Sequence, residues 1–142
     1  MKKPFPATNT IVELLGLSVL FAAAETHLVS HVSKILTPFC GRLYTANSGK
    51  YAIDLFRKNI PDLVLTDISL PGVSGLEVTR QIKQMRPAVP VIIITAENDA
   101  EQLMQAIDLN VDGYLTKPIS PSLLREQIKH FLSVPVKART GQ

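Results

Sequence analysis

The stretch Gly16 to His27, GLSVLFAAAETH, decides the fold. With Lys2 and Lys3 upstream, the apolar run from Leu14 to Ala24 has the outline of a secretory signal ending in an A-x-A cleavage site. That reading would remove the first quarter of the fold. It fails on chemistry: Glu13 stands at the head of the run, and Gly16 and Ser18 interrupt it. The run is also far shorter than the roughly 20 apolar residues that span a bilayer. The stretch therefore reads as a buried strand, and the question becomes why such a strand ends in alanines.

Similar short runs recur downstream: LSVLFA (17–22), DLVLTD (62–67), VPVIIIT (89–95) and GYLT (113–116). Continuous rather than alternating hydrophobicity suits strands buried on both faces of a parallel sheet. RLYTANS (42–48) is the weakest strand of the set. Between the runs, Leu28, Val32, Ile35 and Leu36 fall on one helical face, as do Ala52, Leu55 and Phe56, then Ala100, Leu103, Met104 and Ile107, then Leu124, Ile128, Phe131 and Leu132. These stripes are expected to be core. Ser48-Gly49 opens the second helical segment, Pro61 closes it, and Ser120-Pro121 supplies an N-cap followed by proline in the first turn. The order strand–helix, repeated five times, predicts an α/β fold with a doubly wound parallel sheet and helices on both faces. Residues 1–16 are expected to be an N-terminal extension, in which TIVELLG could form a short extra helix, and 133–142 a C-terminal tail.

A chain of 142 residues with 46% hydrophobic content suits one globular domain with a sizeable core. The single Cys40 excludes an internal disulfide, fits a reducing cytoplasm, and reads as a small buried hydrophobe. The net charge of +3 is spread along the chain without a basic run, which argues against nucleic-acid binding. His27 and His31, one helical turn apart, lack a suitable third ligand nearby and read as helix-surface histidines.

In an open α/β sheet the chemistry collects at the carboxyl ends of the strands. Those ends present Ala23, Ala24 and Glu25 after the first strand, Asp67 after the third, Thr95 after the fourth and Lys117-Pro118 after the fifth. A carboxylate, a hydroxyl and an ammonium converging on one edge can handle a phosphoryl group: Asp67 as oxygen nucleophile, Thr95 as donor, Lys117 as counter-charge. Each alone is an ordinary cap, packing or solvated residue, and only their joint placement carries the reading.

PDLVLTDISLPGVSGLEV (61–78), PVIIITA (90–96) and VDGYLTKP (111–118) together resemble the receiver domain of two-component response regulators. The resemblance covers residues 17–132. It implies a flavodoxin-like receiver fold with strand order 2-1-3-4-5, Asp67 as phosphoacceptor, Thr95 as switch hydroxyl, Tyr114 as switch aromatic, and Lys117 as the family lysine joined to Pro118 by a cis peptide. It further implies a histidine kinase or phosphotransfer protein as phosphodonor, Mg²⁺ at the carboxylate, and output through the face of the fourth helix, fifth strand and fifth helix. That output goes to a downstream protein or a second copy of the chain, in a cytoplasmic, non-enzymatic signalling module without membrane contact.

One position departs from the family. Receivers close their first strand with two acidic residues that hold Mg²⁺, and this sequence has Ala23 and Ala24 there. Methyl groups cannot coordinate a hard cation. The remaining candidate ligands are Asp67, the backbone carbonyl of Ser69 and, with a shift in the loop, Glu25, whose ordinary role would be to cap the first helix. Metal binding and phosphotransfer are expected to be weak or absent. Two functions follow: a single-domain receiver still phosphorylated on Asp67, or a degenerate receiver that binds partners independently of phosphorylation, with an Asp67–Lys117 ion pair locking the pocket. A flavodoxin-type flavin site is excluded because AAAETH lacks the glycine and hydroxyls of a phosphate cradle, and no nucleophile elbow or zinc motif supports a hydrolase.

Overall fold

The apolar runs become strands because each can be buried on both sides. The computed structural model describes residues 16–38, 40–96 and 100–132. Within it β1 (Ser18–Ala22), α1 (Thr26–Leu36), β2 (Arg42–Ala46), α2 (Gly49–Asn59), β3 (Leu63–Asp67), α3 (Gly75–Met85), β4 (Val91–Thr95), α4 (Ala100–Asp108), β5 (Gly113–Thr116) and α5 (Pro121–Leu132) alternate along the chain. All strands are parallel, in the order β2-β1-β3-β4-β5. Most of the extension, including nearly all of TIVELLG, and the tail lie outside the described residues.

Alternation along each strand divides the core in two. Val19, Phe21, Leu65, Ile92, Ile94 and Leu115 pack on one face against Val32 and Leu36 of α1 and Leu124 and Ile128 of α5. Leu20, Val64, Val91 and Ile93 pack on the other against Phe56 of α2, Ile82 of α3 and Ala106 of α4. All residues of β3 and β4 are buried. The edge strands differ: in GYLT only Leu115 is buried, and β2 buries only Ala46, which explains its weak apolar signal.

Local chemistry sets the helix ends. The Ser48 hydroxyl accepts the Tyr51 amide, Ser74 accepts that of Glu77, and Ser120 accepts that of Leu123. Ile60, at φ 44°, ends α2 in the left-handed conformation before Pro61. At the amino edge of the sheet, Asp62 accepts both the amide and hydroxyl of Ser18, and Asp112 accepts the Val91 amide at 2.8 Å and pairs with Lys83 at 2.7 Å. These carboxylates hold strand ends that the parallel ladder leaves open.

The stripe expected on α4 is corrected. Met104 and Ile107 are 67% and 59% exposed, and the residue buried against the sheet is Ala106. The helix meets the sheet through its small side chain, with Leu103 half-buried beside it, which turns Met104 and Ile107 outward. Cys40 is half-buried rather than buried. It packs against the first core, donates to the Leu36 carbonyl at 3.2 Å, and burial pushes its thiol up to about 11.

Candidate functional site

Asp67 ends β3 at the carboxyl edge of the sheet and is almost fully buried. Two backbone contacts fix its loop. The Ser69 amide donates to Asp67 Oδ1 at 3.1 Å, and Gly75 opens α3 so close beneath that a Cβ there would lie 2.0 Å from the Asp67 carbonyl oxygen. Only a residue without a side chain lets the helix start at that distance. Gly72, at φ 76°, turns the chain between them. Both glycines belong to the 61–78 motif; their steric role emerges only once α3 is packed.

Lys117 follows β5, and its peptide bond to Pro118 is cis. Its amide donates to the Thr95 carbonyl at 3.0 Å, which directs the side chain over the site. The ammonium lies 2.9 Å from Asp67 Oδ2 and 2.7 Å from Glu25 Oε1. The Asp67 contact is ionic: Oδ2 is buried and accepts no hydrogen bond of regular geometry. Burial alone would lower the pKa of Lys117, but its interactions with the Glu25 and Asp67 carboxylates outweigh it and hold the pKa above the ordinary value.

Glu25 is the N-cap of α1, yet its side chain makes no capping bond. It reaches to Lys117 instead, and that hydrogen bond, with the lysine charge, holds its carboxyl below the usual range. Sequence reasoning placed Glu25 near the pocket as a possible metal ligand and otherwise as a helix cap. The structure puts it on the lysine, a contact across 92 residues with no local sequence signal. The pocket therefore carries two carboxylates against one ammonium rather than the neutral pair expected from Asp67 and Lys117 alone.

Ala23 and Ala24 continue from β1 beside this cluster. Ala23 is buried, its amide bonded to the Ala46 carbonyl, and Ala24 is exposed. Thr95 is buried, and its hydroxyl donates to the Ala96 carbonyl at 3.3 Å rather than to Asp67. Tyr114 is paired with Ile93 in the sheet and is 45% exposed. His31 of α1 lies 3.1 Å from the Ile119 carbonyl, just past the cis proline, which gives that helix-surface histidine a structural contact.

The family model for the response regulator receiver domain matches residues 19–129. The chain belongs to that family. It is similar to the transcriptional regulatory protein AfsQ1 of Streptomyces coelicolor, at 35% identity over 91 residues covering 64% of this chain and 40% of that protein. Among solved structures it is similar to the N-terminal domain of an uncharacterized protein from Wolinella succinogenes, with TM-score 0.78 and 30% identity over 83% of this chain and 95% of that one. It is also similar to the BeF3-activated DrrB receiver domain, with TM-score 0.76 and 29% identity over 83% and 98%. The chain spans about two fifths of the length of AfsQ1 and of the similar regulators it matches. Receiver domains are modules of two-component signalling that exchange phosphoryl groups with histidine kinases or phosphotransfer proteins, and the fold and strand order observed are those of the family. Among the described residues no helix is long and apolar enough to cross a membrane.

Receivers bind Mg²⁺ at this edge. Here the donor set does not fit the ion: Ala23 and Ala24 offer methyl groups, Glu25 is engaged by Lys117, and the buried Asp67 oxygen already faces the ammonium. Among the described residues no group of three or more His, Cys, Asp or Glu side chains could hold a metal.

Proposed function

We propose that this receiver takes part in phosphorelay signalling with Asp67 as its phosphoacceptor, in a pocket whose affinity for Mg²⁺ is weak. The observation that carries the reading is the Asp67–Lys117 contact: a buried carboxylate oxygen facing an ammonium at 2.9 Å. Asp67 would attack the phosphorus of a phosphohistidine, forming a P–O bond as the P–N bond breaks and the imidazole leaves. Lys117 offsets charge on the transferred group, and the Thr95 hydroxyl, held only by a 3.3 Å bond to Ala96, is free to turn toward it. With the metal ligands replaced by alanines, approach of a phosphoryl dianion is poorly neutralised and transfer is slow.

Output would pass through the surface of α4, β5 and α5, where Met104, Ile107, Tyr114 and Leu123 are exposed and the last two line a cavity of about 560 Å³ with Thr116, Gln127 and Phe131. An exposed apolar group of this kind suits a protein partner, whether a downstream protein or a second copy. The test is to incubate the protein with a small-molecule phosphodonor and Mg²⁺ and record intact mass. One labile phosphoryl adduct in the wild type, lost in Asp67→Asn, is expected. The second reading, a phosphorylation-independent interaction module, draws on the engagement of Lys117 by both carboxylates. An unmodified wild type would favour it.

A further inference from the structure

We propose that Glu25 is an anionic latch on Lys117, competing with an incoming phosphoryl group for the lysine that faces Asp67. The inference rests on the reading of this edge as a phosphoryl-handling site and adds a control to it.

Three observations carry it. The Glu25 carboxylate leaves the start of its own helix uncapped and spans to the lysine at 2.7 Å, closer than the 2.9 Å of the buried Asp67. Asp67 Oδ2 is buried and meets the ammonium at 2.9 Å without a well-aligned hydrogen bond, so the lysine is the charge on which this edge depends. The Glu25 side chain is 62% exposed and that of Lys117 is 26% exposed, so the latch sits on the solvent side of the cation, where an anion must arrive. An ammonium has three donors and one charge. With two carboxylates on it the cluster carries a net negative charge, which opposes an anion; with Glu25 displaced, the remaining pair is neutral and donors are free. The alanines at 23 and 24 make this consequential, because among the described residues Lys117 is then the cation that meets Asp67.

The test uses inorganic phosphate as probe, titrated into wild type, Glu25→Gln and Lys117→Met, with the amide resonances of Ser69 and Lys117 followed by NMR. Glu25→Gln keeps the side-chain length at an exposed position, and the amide spectrum itself reports that each variant is folded. Glu25→Gln should bind phosphate about two- to five-fold more tightly than wild type, the fold-change of a partly exposed ion pair. Lys117→Met should bind it least. Equal affinity in wild type and Glu25→Gln, or no shift at all in Glu25→Gln, overturns the latch, since a released Lys117 must take the anion. The outcome is independent of phosphoryl transfer: a tighter Glu25→Gln in a protein that gains no adduct from a phosphodonor keeps the latch and removes the phosphoacceptor reading.

Discussion

Lys117 stands between Asp67 and Glu25, 2.9 Å from the first carboxylate and 2.7 Å from the second, and closes the carboxyl edge of the sheet as a shared cation. The two contacts differ in kind. Asp67 is buried and depends on the lysine, whereas Glu25 has water available and does not.

That asymmetry predicts unequal costs. Lys117→Met leaves a buried carboxylate without its counter-charge and is expected to destabilise by about 1–3 kcal/mol, less than for a fully buried pair because the lysine is partly exposed. Asp67→Asn removes the buried charge and leaves Lys117 its partner Glu25, so it should cost less. Urea denaturation of both variants at neutral pH checks the order. The Lys117 contribution also has a pH window. Its folded pKa lies above the ordinary 10.5, so the stabilisation is complete below about 10.5 and is lost as pH rises through the folded value. Lys117→Met should flatten the alkaline limb of the stability curve.

The acid limb should respond to Glu77. Hydrogen bonds from Arg80 and Gln81 bring its carboxyl down to about 2 from an ordinary 4.5, against a smaller opposing effect of burial. A lowered folded pKa contributes stability above about 4.5 that disappears as pH falls toward 2. Glu77→Gln is expected to make stability less dependent on pH across that interval, measured by thermal melts at several pH values. A variant curve parallel to the wild type would show that the Arg80 contact contributes nothing in solution.

Gly75→Ala should act on Asp67 through the backbone. A Cβ at position 75 would meet the Asp67 carbonyl oxygen at 2.0 Å, so either α3 or the loop must move. The expected cost is about 2–3 kcal/mol in chemical denaturation, with shifted amide resonances at Ser69, whose N–H bonds to Asp67. Unchanged stability would mean that the helix start yields without strain.

Asp112→Ala should loosen the opposite edge of the sheet. It removes the acceptor of the Val91 amide and the partner of Lys83, which costs about 1–3 kcal/mol. Asp112→Asn keeps an acceptor for the amide but not the ion pair and should recover part of the loss. Hydrogen exchange at the Val91 amide reports the opening directly.

Much of this architecture was legible from sequence because the strands of a parallel sheet are continuous apolar runs. LSVLFA, DLVLTD and VPVIIIT became β1, β3 and β4, with end shifts of no more than two residues. The edge strands were harder: β2 buries only Ala46, so RLYTANS carries little hydrophobic signal. The α4 stripe misled because helical periodicity finds an apolar face without saying whether a smaller face docks first, and here Ala106 takes the sheet and leaves Met104 and Ile107 in solvent. At the site, Asp67, Thr95 and Lys117 could be read as strand-end residues, and Ala23 and Ala24 as the residues that follow the first strand. The engagement of Glu25 by Lys117 could not, because it joins the ends of β1 and β5, which have two strands between them in the sheet and lie far apart in sequence.

The central claim is that Asp67 accepts a phosphoryl group in a pocket where alanines have replaced the metal ligands. Its most direct test is the rate of phosphoryl incorporation from a small-molecule donor, followed by intact mass with chelator and with Mg²⁺, for wild type and Ala24→Asp. Position 24 is exposed, so an aspartate there carries no packing cost. The wild type should gain its adduct slowly, with a rate nearly indifferent to Mg²⁺, and Ala24→Asp should be accelerated by the ion about tenfold or more. A wild-type rate that climbs steeply with Mg²⁺ would contradict the account.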